Sequence, residues 1–274
     1  MKIIETYDKN SNLRCYGRNI FKTMDGFFKL FPSEYSNCYY HNLETLKIYK
    51  VDQLNEISYA GFYNANLNTL TFKKTIALSH ELFHMASNDL INRRFGVISD
   101  DSIYGNGFTE GMTEYFNTKA HNLQIPSAYQ FEVFCVTMLE DVPNIFRTYF
   151  IPNYDNFISL FPNRELACHL VKSVDLYTDM YMTYWHYYCL GDTSLYEYLN
   201  FKDVINDIII DLIEIELSFE NDSNKLEQYA NKFLNYICSN KLPSLFQTIY
   251  PDLCENANFL IKNRITDIRK SKVK

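Results

Sequence analysis

The chain has 274 residues, 47% of them hydrophobic, and a net charge of −7. That length supports one large domain or two intimate ones, and the acidic balance argues against a nucleic-acid-binding surface. The start, Met1-Lys2-Ile3-Ile4-Glu5, lacks an apolar run of signal-peptide length, and the most apolar later stretch, Val204 to Phe219, carries Asp207, Asp211, Glu214 and Glu216, too much charge on too short a span for a membrane helix.

In chain order, Ile3-Ile4 and Leu46 to Tyr49 read as short strands, with an amphipathic helix between them at Ile20 to Phe31. Two β-rich runs, Ile57 to Tyr63 and Leu67 to Phe72, flank Asn64-Ala65-Asn66 and predict a hairpin. A helix follows at once, with Leu78, Leu82 and Met85 as its core-facing stripe. Residues 89–107 hold Arg93-Arg94, Gly96, Asp100-Asp101, Gly105 and Gly107, which is turn chemistry with room for a small hairpin. A second helix is expected from Thr109, acting as N-cap, to Asn122. Beyond it the pattern is helical: Ser127 to Asp141, Asn163 to Leu190, Ser194 to Glu220, Ser223 to Ser239, and one more helix after Pro251. The basic end, Lys270 to Lys274, reads as a frayed tail. The expected fold class is α+β, predominantly α. A small N-terminal sheet with a hairpin and two site helices fill residues 1–125, and an all-helical part fills 126–274, the two parts forming separate subdomains or one compact unit.

The chemistry concentrates in Ser79-His80-Glu81-Leu82-Phe83-His84-Met85, which contains H-E-x-x-H. On a helix, positions i and i+4 share one face, so His80 and His84 present two imidazoles to one point and can fill two corners of a zinc tetrahedron. Glu81 falls beside the metal, out of line with the ligands, where a general base can take a proton from a zinc-bound water. A catalytic zinc needs a third protein ligand. The H-E-x-x-H-x-x-G-x-x-H pattern is absent, because Ser87 and Leu90 stand where Gly and His are needed, and no E-G-C-x-S motif lies upstream. What is present is Phe108-Thr109-Glu110-Gly111-Met112-Thr113-Glu114-Tyr115-Phe116. Glu110 and Glu114 sit one turn apart, and their mutual repulsion disappears if a cation lies opposite. Glu110 is read as the third ligand and Glu114 as the carboxylate that accepts the outer N–H of His80 or His84. The alternative exchanges the two glutamates. Gly111 is expected to let the helix approach the metal closely.

H-E-x-x-H followed by E-G-x-x-E-Y on the next helix resembles the gluzincin group of zinc metallopeptidases, over residues from about 56 to 117. The resemblance implies one Zn²⁺ per chain and a Glu ligand on the second helix. It also implies an edge strand before the active-site helix to which peptide substrate adds, with Ala60 and Gly61 small enough for close backbone approach. Thr109 stands where an Asn often precedes the ligand Glu, and no G-x-M-E-N motif is present, so the amine-recognising acid of the aminopeptidase branch is missing. The function expected is peptide-bond hydrolysis, acting on a peptide or protein substrate with neither a nucleic acid nor a membrane as partner. The rival expectation is a metal-binding regulatory or single-partner protein on a peptidase scaffold. A third is that residues 127–274 govern access to the cleft.

The remaining signals are weaker. His121 reads as a helix-end residue, His41 and His169 show no partner pattern, and Tyr184-Trp185-His186-Tyr187-Tyr188 reads first as an aromatic core stripe and second as a source of an oxyanion-stabilising group. Asp100-Asp101 reads as a turn. The seven cysteines lack C-x-x-C spacing, which suits reduced thiols in a cytoplasmic protein. The wealth of Asn, Ile, Lys, Tyr and Phe matches an AT-rich, bacterial genome and accounts for the 23 tyrosines.

Overall fold

The computed structural model describes residues 3–7, 17–54, 60–192, 194, 199–219, 223–238, 250 and 252–272. The fold is α+β and predominantly α, as the sequence predicts. A four-stranded sheet is built from β1 (Ile3–Tyr7), β2 (Lys47–Val51), β3 (Gly61–Asn64) and β4 (Thr69–Phe72), in the order β1-β2-β4-β3. β1 runs antiparallel to β2, β2 parallel to β4, and β3 antiparallel to β4 with Tyr63 opposite Leu70. In β4, Leu70 and Phe72 are buried while Thr69 and Thr71 face outward, the period of two that a half-buried strand requires. β3 is an edge strand, with Tyr63 turned into the core and Phe62 exposed. The described strands of the hairpin are Gly61–Asn64 and Thr69–Phe72, and residues 57–59 of the first run lie outside the described residues.

Between β1 and β2 lie α1 (Gly17–Phe28) and a helix the sequence pattern did not reveal, α2 (Asn37–Leu43). The helix carrying H-E-x-x-H, α3 (Ile76–Ala86), buries Leu78, Leu82 and Met85 as expected. The small hairpin after it is present as β5 (Asn88–Asp89) and β6 (Arg94–Phe95). Asp101 accepts from Ser99 Oγ at 2.5 Å and from the Ile103 amide at 3.2 Å, which makes the Asp100-Asp101 segment a turn.

The second site helix, α4 (Asn106–Ala120), begins three residues before the expected start. Thr109 is not its N-cap. It lies inside the helix, fully buried, donating to the Gly105 carbonyl at 2.8 Å and accepting from the Val97 amide at 3.1 Å. The cap comes from elsewhere: Asp175, on α8 (Arg164–Cys189), accepts the Gly105 and Gly107 amides at 2.7 Å each. A helix start leaves its first N–H groups without partners, and here a distant carboxylate supplies them. Burial raises the Asp175 carboxyl to about 6, against the two amides that lower it.

The predicted C-terminal helices are α5 (Gln130–Leu139), α8, α9 (Phe201–Phe219), α10 (Ser223–Ile237) and α11 (Leu253–Lys272), joined by two short helices, α6 (Arg147–Phe150) and α7 (Tyr154–Ser159). α11 runs into the basic end, as far as Lys272. Asn163 caps α8 by accepting from the Leu166 amide at 3.1 Å. Most buried apolar side chains among the described residues form one continuous cluster, from Met24 and Phe28 of α1 through Phe83 and Phe116 to Ile208 of α9 and Ile261 of α11. The 184–188 run is not a core stripe: Tyr184 is buried, but Trp185, Tyr187 and Tyr188 are exposed. No helix among the described residues is long and apolar enough to cross a membrane.

The reading of all cysteines as reduced thiols is corrected at one pair. Cys238 and Cys254 form a disulfide joining the end of α10 to α11. Their Cα atoms are 5.5 Å apart, inside the range a disulfide spans. Two helices packed side by side create that proximity, which a spacing of 16 residues does not announce. Cys38, Cys135, Cys168 and Cys189 are free.

Candidate metal centre

α3 and α4 pack against each other and bring together His80, His84 and Glu110, whose candidate ligand atoms all lie within 4.8 Å of one another. His84 Nε2 is 3.1 Å from His80 Nε2 and 3.1 Å from Glu110 Oε2, and His80 Nε2 is 3.3 Å from Glu110 Oε2. The three atoms form a nearly equilateral triangle. Ligands held at about 2.0–2.1 Å around a tetrahedral ion lie about 3.3–3.4 Å apart, so the triangle has the size of one face of such a shell. Glu110 and His80 keep 17% and 12% of their side-chain surface exposed, which leaves a way in from solvent.

The placement of hydrogens around His80 makes the triangle suit a cation. His80 Nδ1 is 2.9 Å from Glu114 Oε2. Glu114 is fully buried and also accepts from Asn117 Nδ2 at 3.0 Å, from the Ser127 amide and hydroxyl at 2.7 Å each, and from the Ala128 amide at 3.3 Å. Burial alone raises a carboxyl pKa, but the His80 contact and the Ser127 and Asn117 donors outweigh it and hold Glu114 below its ordinary value. Glu114 is thus a carboxylate with no hydrogen to give, and His80 must donate from Nδ1. In the neutral ring this leaves a bare lone pair on Nε2, turned toward the carboxylate of Glu110 and the second imidazole. Lone pairs converging without a shared hydrogen call for a positive charge. Without a metal a proton takes that place: burial disfavours the His80 cation, yet Glu110 and Glu114 raise the ring to about 10. Burial pushes the Glu110 carboxyl up, but the two imidazoles more than reverse this and hold it well below the usual carboxylate range.

The structure thus brings together His80, His84 and Glu110 in one group and places Glu114 behind His80, not His84. Glu81 is adjacent but outside the ligand triangle. Its carboxyl is raised above the ordinary value by burial, partly offset by His80, His84 and a hydrogen bond from the Tyr63 amide of β3. The edge strand therefore holds Glu81. A Cβ on Gly61 would stand 2.9 Å from Ala77 Cβ and 2.9 Å from Glu81 Oε1, so the small residue admits α3 and its glutamate. Gly111 likewise serves packing rather than the metal: a Cβ there would lie 2.8 Å from the Glu132 carbonyl oxygen of α5.

Several neighbours escaped the sequence reading. The Tyr129 ring stacks on His80 with centroids 5.6 Å apart and planes 15° apart, and Phe95 of β6 lies against His84 at 5.5 Å. Tyr129 has φ +47, in the left-handed region that a tyrosine seldom occupies, at the start of α5. Thr113 Oγ1 is 3.2 Å from His84 Nδ1, and Tyr149 OH is 2.6 Å from Thr113 Oγ1. Only Thr113 carried a legible signal, one turn beyond Thr109 on the face of α4 that meets α3. His121 caps the end of α4, as expected for a helix-end residue, and its Nε2 is 2.7 Å from Ser79 Oγ, next to His80. His169 proves to have a partner, Asp211 of α9 at 2.6 Å. No protein-family model, no curated protein and no solved structure matches the chain.

Proposed function

We propose that the chain is a zinc-dependent peptide-bond hydrolase of the gluzincin type. The observation that carries this reading is the triangle of His80 Nε2, His84 Nε2 and Glu110 Oε2, solvent-accessible and flanked by a glutamate that is not one of its corners. Two imidazoles and one carboxylate are a donor set that suits Zn²⁺ with a fourth position open. His80, His84 and Glu110 would hold the Zn²⁺, which when bound would supply Lewis acidity toward a carbonyl oxygen and a water.

The chain's own groups supply the rest. Glu81, with its carboxyl pKa raised, accepts a proton from the attacking water and returns it to the leaving amine. Among the described residues β3 pairs within the sheet with β4 alone, and its outer side, apart from the Tyr63 amide that donates to Glu81, is offered to an extended peptide. Glu114 orients His80.

The test is Glu81→Gln. Zinc-loaded native protein should cleave an unfolded substrate such as casein in a chelator-sensitive way, and Glu81→Gln should keep its zinc and lose cleavage. Cleavage at the native rate by the variant removes Glu81 from the reaction. A native protein that binds zinc and cleaves nothing supports the metal-binding regulatory reading instead.

A further inference from the structure

The two imidazoles are held differently. His80 leans on a carboxylate, whereas His84 leans on a hydroxyl. We propose that Thr113, locked by Tyr149, is the positioning residue that keeps His84 in the tautomer whose Nε2 is free for a metal; the proposal rests on the metal-centre reading above.

Thr113 and Tyr149 are both fully buried. Thr113 Oγ1 lies 2.7 Å from the Thr109 carbonyl, the back-bond a helical threonine makes one turn up. It also lies 2.6 Å from Tyr149 OH, and Tyr149 OH lies 3.0 Å from the Phe83 carbonyl of α3. Burial pushes the Tyr149 phenol up, so it keeps its proton. Thr113 has one hydrogen and two lone pairs. The two hydroxyl hydrogens can serve only two of these three contacts, and a Thr113 hydrogen turned to His84 would leave just one of them served, so two placements of it remain. Either Thr113 donates to Thr109, or it donates to Tyr149 while Tyr149 donates to Phe83. Both spend the Thr113 hydrogen away from His84, so His84 Nδ1, 3.2 Å away, can pair with Thr113 only by donating. That donation places the ring hydrogen on the outer nitrogen and leaves Nε2 bare beside Glu110.

Tyr149 also ties the two site helices together, because its hydroxyl touches Phe83 on α3 and Thr113 on α4. It comes from α6, in a part of the chain to which the H-E-x-x-H motif gives no clue. A neutral partner keeps a second negative charge from forming behind the ligands, where Glu114 already provides one.

The test uses the full chain and Zn²⁺ as probe. First, native protein labelled with ¹⁵N-histidine and loaded with Zn²⁺ should show His84 protonated at Nδ1 and metal-bound at Nε2. Second, competition against a chromophoric chelator should show Thr113→Val weakened in Zn²⁺ affinity about 10- to 100-fold, the usual effect of removing a ligand's outer partner, with Thr113→Ser restored close to native. Tyr149→Phe should fall between them. His84 found bare at Nδ1, or Thr113→Val binding as tightly as native, overturns the proposal and leaves the metal centre standing. Native protein that binds no Zn²⁺ overturns the metal-centre reading and this proposal with it. The first measurement needs no variant, so a variant that fails to fold does not shield the proposal.

Discussion

Replacing Glu114 by Gln changes one atom and removes one charge, and the surroundings make that change severe. Five groups point hydrogens at this carboxylate: His80 Nδ1 and Asn117 Nδ2 at Oε2, and the Ser127 amide, the Ser127 hydroxyl and the Ala128 amide at Oε1. A glutamine must place its NH₂ against one of these sets. Facing Ser127 and Ala128, it meets two amides that cannot turn round. Facing His80, it meets a ring that can: the imidazole moves its hydrogen to Nε2 and accepts at Nδ1. That relieves the side chain and blocks the nitrogen meant for the metal. A hydrogen bond to a charged group contributes about 1.5–3 kcal/mol, so the outward tautomer of His80 loses about that much preference. Zn²⁺ affinity should fall about 10- to 100-fold. Chelator competition at constant pH measures the fall, and ¹⁵N-histidine spectra of the metal-free variant should show His80 with a hydrogen on Nε2 alone, where the metal-free native ring carries one on each nitrogen. Glu114→Gln that binds Zn²⁺ like native, with the His80 hydrogen still at Nδ1, would refute the hydrogen accounting.

Two further outcomes concern stability. Gly111→Ala places a methyl 2.8 Å from the Glu132 carbonyl, and the backbone must yield; overpacking costs about 1–3 kcal/mol against a helix-propensity gain of about 1. Its thermal midpoint should drop, and an unchanged or higher midpoint would show that α4 and α5 have slack between them. Burial raises the Glu132 carboxyl to about 7, partly offset by its own amide and by Thr178 Oγ1, which donates at 2.8 Å. The folded state then holds this proton where the unfolded state has lost it, so the group lowers stability progressively as pH rises from about 4.5 to about 7. Glu132→Gln, which cannot ionise, should be more stable than native by about 3 kcal/mol at pH 8 and equal to it near pH 4. Denaturant curves at the two pH values measure this, and a gain independent of pH would contradict it.

What was legible in the sequence was local and periodic. The i, i+4 spacing put His80 and His84 on one face of α3, the same spacing put Glu110 and Glu114 on one face of α4, and Leu78, Leu82 and Met85 are buried as their spacing predicts, although α3 is buried on its other faces too. The hairpin before α3 followed from β-rich runs around asparagines. What was hidden depended on partners far along the chain. The cap on α4 comes from Asp175, 70 residues beyond Gly105, so sequence inspection chose the nearer Thr109. The grip of Ser127 and Ala128 on Glu114 depends on where the loop after α4 turns, and no side-chain pattern encodes that. Thr113 and Tyr149 meet across 36 residues, and the disulfide depends on how α10 and α11 pack. Gly111 was visible, but its purpose was misread because α5 approaches from a direction that only the folded packing defines.

The Asp175 contact makes the start of α4 depend on α8. H-E-x-x-H lies within a single helix and can present its imidazoles as soon as α3 coils. Glu110 belongs to a helix whose opening amides meet their carboxylate only when residue 175 has been synthesised and α8 has docked. A pairing so distant forms late because its loop-closure entropy falls due before any contact rewards it. A chain that ends before residue 175 therefore lacks the carboxylate that receives the first amides of α4, the helix that carries Glu110.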